Sequence, residues 1–161
     1  MRNMSLDHEF RAAMRRLAAT VSVITLRTGD RPMGMTATAV TSLSMSPPSV
    51  LVCVNQTVSM YGSFIEADTF CVNILHQDHL EVARVFSDSK LRNERFVTGQ
   101  WQHRDNTPPI LIDAQAALLC ERRESLTFGT HSIFIGQVSE ILLRDDIAPL
   151  LYVDGRFSHT T

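Results

Sequence analysis

A chain of 161 residues with 44% hydrophobic side chains is long enough for one core and short for two, so a single domain over 1–161 is expected. Its 15 basic and 17 acidic side chains give a formal charge of −2 with no strongly basic end, which argues against nucleic acid or an anionic lipid surface as partner. No apolar run reaches the ~20 residues that span a bilayer and the N-terminal stretch lacks a signal-peptide core, so a cytoplasmic protein with a small-molecule partner and no membrane contact is expected.

The stretch "SLDHEFRAAMRRLAA" places Leu6, Phe10, Ala13, Met14 and Leu17 at helical spacing behind Ser5 or Asp7 as cap, which predicts a surface helix with one apolar stripe. "VSVITLR" alternates apolar and polar residues and is β-branched; after the turn "TGD" a second extended segment starts at Pro32 and completes a hairpin. "SVLVCVN" (49–55) and "TFCVNIL" (69–75) are near-continuous apolar runs, the pattern of strands buried on both faces. Between them "VSMYGSFIEAD" predicts a short helix from about Ser59, and "QDHLEVARVFSD" predicts another behind Asp78 as cap. A polar, Arg-rich connection follows.

From Ala114 the pattern is extended again, in "AQAALLCERRESL", "THSIFIGQVSEILLR" and "APLLYVDGRF", with Gly136 in mid-strand marking a bulge or a barrel corner. Six or so strands with two or three helices predict a mainly β fold with peripheral helices, a closed or partly open barrel. Cys53, Cys71 and Cys120 each lie in an apolar stretch, which predicts reduced, buried thiols. His76 and His79 form an H-x-x-H with no nearby third ligand, so no metal site is expected there.

The chemical signal is "GMTATAVTSLSMSPP", Gly34 to Pro48, with six hydroxyl side chains in fifteen residues and no charge. The seven glycines form neither G-x-G-x-x-G nor G-x-x-x-x-G-K-[ST], so no Rossmann or P-loop device clasps a phosphate. Threonine and serine on extended backbone offer neutral donors and acceptors suited to a flat heteroaromatic ring such as a flavin isoalloxazine. By composition alone, turn and strand-surface roles explain such a stretch more often than a ligand site does.

"GMTATAVTSLSMSPPSVLVCVN", then "TFCVNIL", "FGTHSIFIGQV" and "PLLYVDGRF", in that order, resemble the flavin reductase-like family from about Phe10 to Phe157. These are the small reductase components of two-component flavin monooxygenases, similar to the 4-hydroxyphenylacetate and phenol hydroxylase reductases. The resemblance implies an FMN-binding split β-barrel of Greek-key type, usually a homodimer. It implies an activity too: hydride transfer from NADH or NADPH to FMN or FAD, with reduced flavin passed to a separate oxygenase component. It further implies that Thr36, Ala37, Thr38 and Ala39 approach the ring system and that Ser42 and Ser44 lie near the ribityl chain or phosphate. Asn55, with Thr57 or Ser59, would serve the phosphate. Phe86 and the pair Arg95–Phe96 would border the phosphate or flavin tail, with Lys90 a competing candidate. His131, preceded here by Thr130 where many relatives have Asp, would face the nicotinamide side. Arg156 would touch flavin or nicotinamide phosphate, and Arg122 and Arg123 are further candidates for a 2′-phosphate. The alternative is a non-catalytic split-barrel flavin or haem binder or sensor. A relative of the pyridoxamine-phosphate oxidases would need basic residues that the hydroxyl stretch lacks.

Overall fold

The strand pattern leaves two free sheet edges, and the chain itself brings them together. A computed structural model describes residues 5–160. The strands are β1 (Ala19–Thr20), β2 (Ser22–Thr28), β3 (Arg31–Ala37), β4 (Val40–Met45), β5 (Pro48–Asn55), β6 (Thr69–Ile74), β7 (Trp101–Gln102), β8 (Ile110–Leu111), β9 (Ala116–Phe128), β10 (His131–Leu143), β11 (Leu150–Val153) and β12 (Arg156–His159). The helices are α1 (Leu6–Met14), α2 (Tyr61–Glu66) and α3 (Leu80–Ser87), with 3₁₀ turns at Gln77–His79 and Ser89–Val97.

Seven strands form one antiparallel sheet in the order β3-β2-β6-β9-β10-β5-β4. Its edge strands, β3 and β4, are consecutive in the chain and joined only by Thr38 and Ala39. Six strand spacings of ~4.8 Å would hold the edges of a flat sheet ~29 Å apart, while three Cα steps reach at most ~11 Å. The sheet therefore rolls until its edges meet. Among the described residues no ladder joins β3 to β4, so the barrel stays split along that seam. The Ala39 carbonyl accepts the Cys53 amide at 3.0 Å and fixes the link against β5.

Inside the barrel Ile24, Val52, Val54, Phe70, Val72 and Phe134 pack around Phe64, which α2 inserts at 4.4 Å centroid distance from Phe134 and 5.3 Å from Phe70. Gly136 makes that packing possible: a Cβ there would stand 2.4 Å from the Phe70 ring and 2.7 Å from Cys120, and the β9–β10 register shifts between Ile135 and Gly136, the bulge its position predicts. A second apolar layer, under α3, holds Val21, Val23, Cys71, Val82, Val85 and Phe86. Strand β6 is thus buried on both faces, as its apolar run predicts. Strand β5 is not: Val50, Val52 and Val54 face the core, but Leu51 and Cys53 are only half-buried, and Cys53 opens on a surface cleft. Cys71 and Cys120 are buried free thiols; Cys53 departs from the expectation for that reason.

Local differences have local causes. "APLLYVDGRF" is a hairpin rather than one strand, because Asp154 (φ 51°) and Gly155 (φ 76°) turn the chain between β11 and β12. Asp78 does not cap the helix after it; the His76 ring accepts the Asp78 amide at 3.2 Å instead, and a 3₁₀ turn precedes α3. The apolar stripe of α1 points outward, with Leu6, Phe10 and Met14 all exposed.

Candidate active site

At the seam the barrel's outer face opens into a cleft of about 610 Å³, within the ~300–1,000 Å³ of small-molecule sites. One wall is the end of β3 and the link: Thr36, Ala37, Thr38 and Ala39. Thr36 is pinned by its Oγ1–H, which donates to the Ala83 carbonyl of α3 at 3.1 Å. The opposite wall is built where β5 and β10 end side by side, Asn55 opposite His131 in the ladder. Asn55 Oδ1 accepts both the amide and the hydroxyl of Thr57 at 2.9 Å, which fixes the loop that carries Thr57 and Ser59 into the cleft. Thr130 Oγ1 lies 2.9 Å from His131 Nδ1, so a neighbouring hydroxyl engages the ring.

The floor and one end come from α3 and the turn after it. Phe86 presses onto β3 where Gly34 has no side chain; a Cβ at Gly34 would lie 2.5 Å from its ring. Arg95 stands beside that ring, 5.8 Å from its centroid, and donates to the Gly34 carbonyl at 2.8 Å. Arg92 donates to Ser59 Oγ at 3.3 Å. Arg95 Nε is a buried donor with no partner among the described groups. Burial first, then the charge of Arg92, hold its pKa below the ordinary guanidinium value. An anion in the cleft would relieve both costs. No carboxylate lines the cleft, and the donor set of hydroxyls, amides and two guanidiniums fits an aromatic ring system carrying a phosphate.

Ten of the residues expected from the sequence line this cleft: Thr36, Ala37, Thr38, Ala39, Asn55, Thr57, Ser59, Phe86, Arg95 and His131. Ser42 and Ser44 do not; they lie farther along β4, where Ser44 Oγ accepts the Ser46 amide. Phe96 turns the other way, against Phe86 and Trp101. Arg156 lines an adjoining cavity of about 340 Å³ that shares Thr36, Ala37 and Thr38, and it pairs with Asp154. Arg122 and Arg123 are occupied elsewhere, by the Ala67 carbonyl and by Glu121 with Gln137, and Lys90 lies outside the cleft. Sequence reasoning missed Arg92 and Cys53. Arg92 and Arg95 share a face only because their segment winds as a 3₁₀ turn, where i and i+3 eclipse.

A split β-barrel with a nucleotide-sized, cation-ended cleft across its seam defines the class. Residues 14–161 match the flavin reductase like domain, and the chain belongs to that family. It is 44% identical over 154 residues to the reductase component of an FADH(2)-dependent resorcinol hydroxylase from Rhizobium sp. (strain MTP-10005), covering 94% of this chain and 86% of the relative. It is 38% identical to the FMN reductase (NADH) RutF of Pseudomonas syringae pv. syringae, covering 93% and 84%. Among solved structures, the NADH:FAD oxidoreductase SgcE6 of Streptomyces globisporus C-1027, in complex with NAD and FAD fragments, superposes with a TM-score of 0.89 at 30% identity, covering 97% of this chain and 93% of that one.

Proposed function

We propose that the protein is an NAD(P)H:flavin oxidoreductase acting in the cytoplasm, which reduces FMN or FAD and supplies the reduced flavin to a separate oxygenase component. The observation that carries this reading is the cleft itself, where a neutral hydroxyl wall, a histidine and a pair of guanidiniums meet without a carboxylate. A bound flavin supplies the two-electron acceptor for a nicotinamide hydride.

The protein's own part is positional. Thr36 to Ala39 offer main-chain groups and hydroxyls to a ring edge, and Thr36 is held rigid by α3. Arg92 and Arg95, with Ser59 and Thr57, take the phosphate end. Thr130 engages His131 Nδ1, so Nε2 is the nitrogen presented to a second nucleotide at the mouth of the cleft. No fixed cation is built into the hydroxyl wall, which suits a flavin that must leave once reduced. The exposed Leu6, Phe10, Met14 and Phe128 support a homodimer.

The test is NADH oxidation in air by the purified protein with catalytic FMN, with FAD, and with neither. Rapid loss of the NADH absorbance only with flavin present is expected; loss with neither flavin rejects the reductase reading in favour of a flavin-binding module.

A further inference from the structure

The β9–β10 hairpin carries an aromatic ring that the flavin reading leaves unused. Phe128 is 85% exposed at its tip, and the ladder sets Phe128 directly opposite His131, which is itself opposite Asn55. Directly opposed residues of antiparallel strands point to one face with Cβ atoms ~4.5–5.5 Å apart, so the phenyl ring stands in one row with two groups that line the cleft. The next row on that face runs Leu126, Ile133, Cys53, and it too ends in a cleft residue. One exposed ring alone would need no account. Phe128 and the half-exposed Leu126 instead make an apolar ledge that leads to the mouth of the cleft beside His131. The ledge is held in place: Gly129 (φ 57°) and Thr130 form a two-residue turn, and the Thr130 carbonyl accepts the Gln56 amide at 3.0 Å. The other exposed apolar residues that support a homodimer, Leu6, Phe10 and Met14, lie on α1 and not on this ledge.

We propose that Phe128 is a contact residue for the nicotinamide of the second nucleotide, its ring lying against the nicotinamide at the mouth of the cleft next to His131. The assignment rests on the flavin reading of the cleft. A flat ring with an electron-rich face suits this occupant better than it suits the flavin, whose walls are the hydroxyl link and the paired ends of β5 and β10. When a hydride leaves the dihydronicotinamide with its electron pair, the flavin is reduced and takes the negative charge, and the nicotinamide is oxidised to a cation. The phenyl face attracts that cation more than the neutral ring that precedes it, so the contact strengthens as the transfer proceeds. No carboxylate lines the cleft to do this in its place.

Phe128→Leu keeps an apolar side chain and removes the aromatic face, and Phe128→Tyr restores one; at a position 85% exposed both leave the fold intact. Calorimetric titration of the full chain with NAD⁺, at saturating flavin, reads the contact without turnover, and the loss of flavin absorbance at saturating NADH reads the transfer. Phe128→Leu is expected to lower NAD⁺ affinity and the rate of flavin reduction about fivefold each, with flavin affinity and the KM for NADH changed by less than about twofold. Phe128→Tyr should stay within about twofold of the wild type in all four. An unchanged NAD⁺ affinity in Phe128→Leu, or a failure of Phe128→Tyr to restore it, overturns the proposal. A flavin affinity that falls as far as the NAD⁺ affinity puts the ring on the flavin, which overturns it and leaves the reading of the cleft standing. A change of mass in sedimentation gives the ring to a contact between two copies and overturns it too. If the wild type binds no flavin, the reading of the cleft itself fails, and this assignment with it.

Discussion

Two corners of the molecule carry a histidine among polar groups, and they use it in opposite ways. At the β6–α3 corner His76 is 2% exposed and its two ring nitrogens each lie 3.0 Å from a carboxylate, Asp78 and Asp146. Arg144 closes the ring of charges onto the same two aspartates. At the seam His131 is exposed, touches only a neighbouring hydroxyl through its ring, and faces threonines, Asn55 and two arginines that lack carboxylate partners among the described residues. Where polar groups satisfy one another they hold the fold together. Where they are left unsatisfied in a cavity, they are available to a ligand.

The comparison is broken most directly by exchanging the effects. His76→Ala should destabilise the protein by about 2–3 kcal/mol in urea unfolding, chiefly through the cavity left in a buried site, and leave flavin affinity unchanged. Arg95→Ala should do the reverse, weakening flavin binding about tenfold in a fluorescence titration while the unfolding midpoint moves little. His131→Ala should slow turnover several-fold at saturating flavin, about 1 kcal/mol, with little change in flavin affinity; equal losses in both would remove its nicotinamide-side role.

Acid should also separate the two corners. His79, next to the His76 knot, has its pKa held below 6.5 by burial and then by the charges of Arg144 and His76. The unfolded chain therefore binds a proton that the folded one resists. This contribution lowers stability as pH falls below about 6.5, until the depressed folded value is reached. Asp146, with its pKa held below 3.8 chiefly by the Arg144 hydrogen bond, stabilises above the ordinary carboxylate range and is lost as pH falls through its lowered value. Chemical unfolding across pH should show the first decline in the wild type and not in His79→Gln. The smallest effect concerns thiols. Burial lifts the Cys120 pKa to about 12 and that of Cys71 higher still, so at pH 8 a thiol reagent should modify Cys53 alone, and flavin should slow that reaction.

Most strands were legible because their signals are local: β-branched runs, Pro and Gly punctuation, and a mid-strand glycine whose bulge the ladder shows. The hydroxyl stretch was legible as chemistry, but not in its division. Thr36 to Ala39 reach the cleft and Ser42 and Ser44 do not, because the chain leaves one sheet edge for the other between them, a global consequence of barrel closure that no local period carries. Arg92 was hidden for a related reason: its value depends on a 3₁₀ turn laid over Phe86 and Ser59, contacts with no trace in the spacing of "KLRNERF" alone. Cys53 resembled the other thiols because its neighbours are apolar, and only the cleft at the seam exposes it.

The two-residue link at Thr38 and Ala39 also decides where the barrel can breathe. Five strands of the seven are zipped on both sides, whereas β3 and β4 each have one unzipped flank. Thermal opening therefore starts along this line, and whatever spans the cleft acts as a stitch across it. Loading the protein with its nucleotide should quiet amide exchange along both flanks at once, so that the same gap that admits the ligand is mended by it.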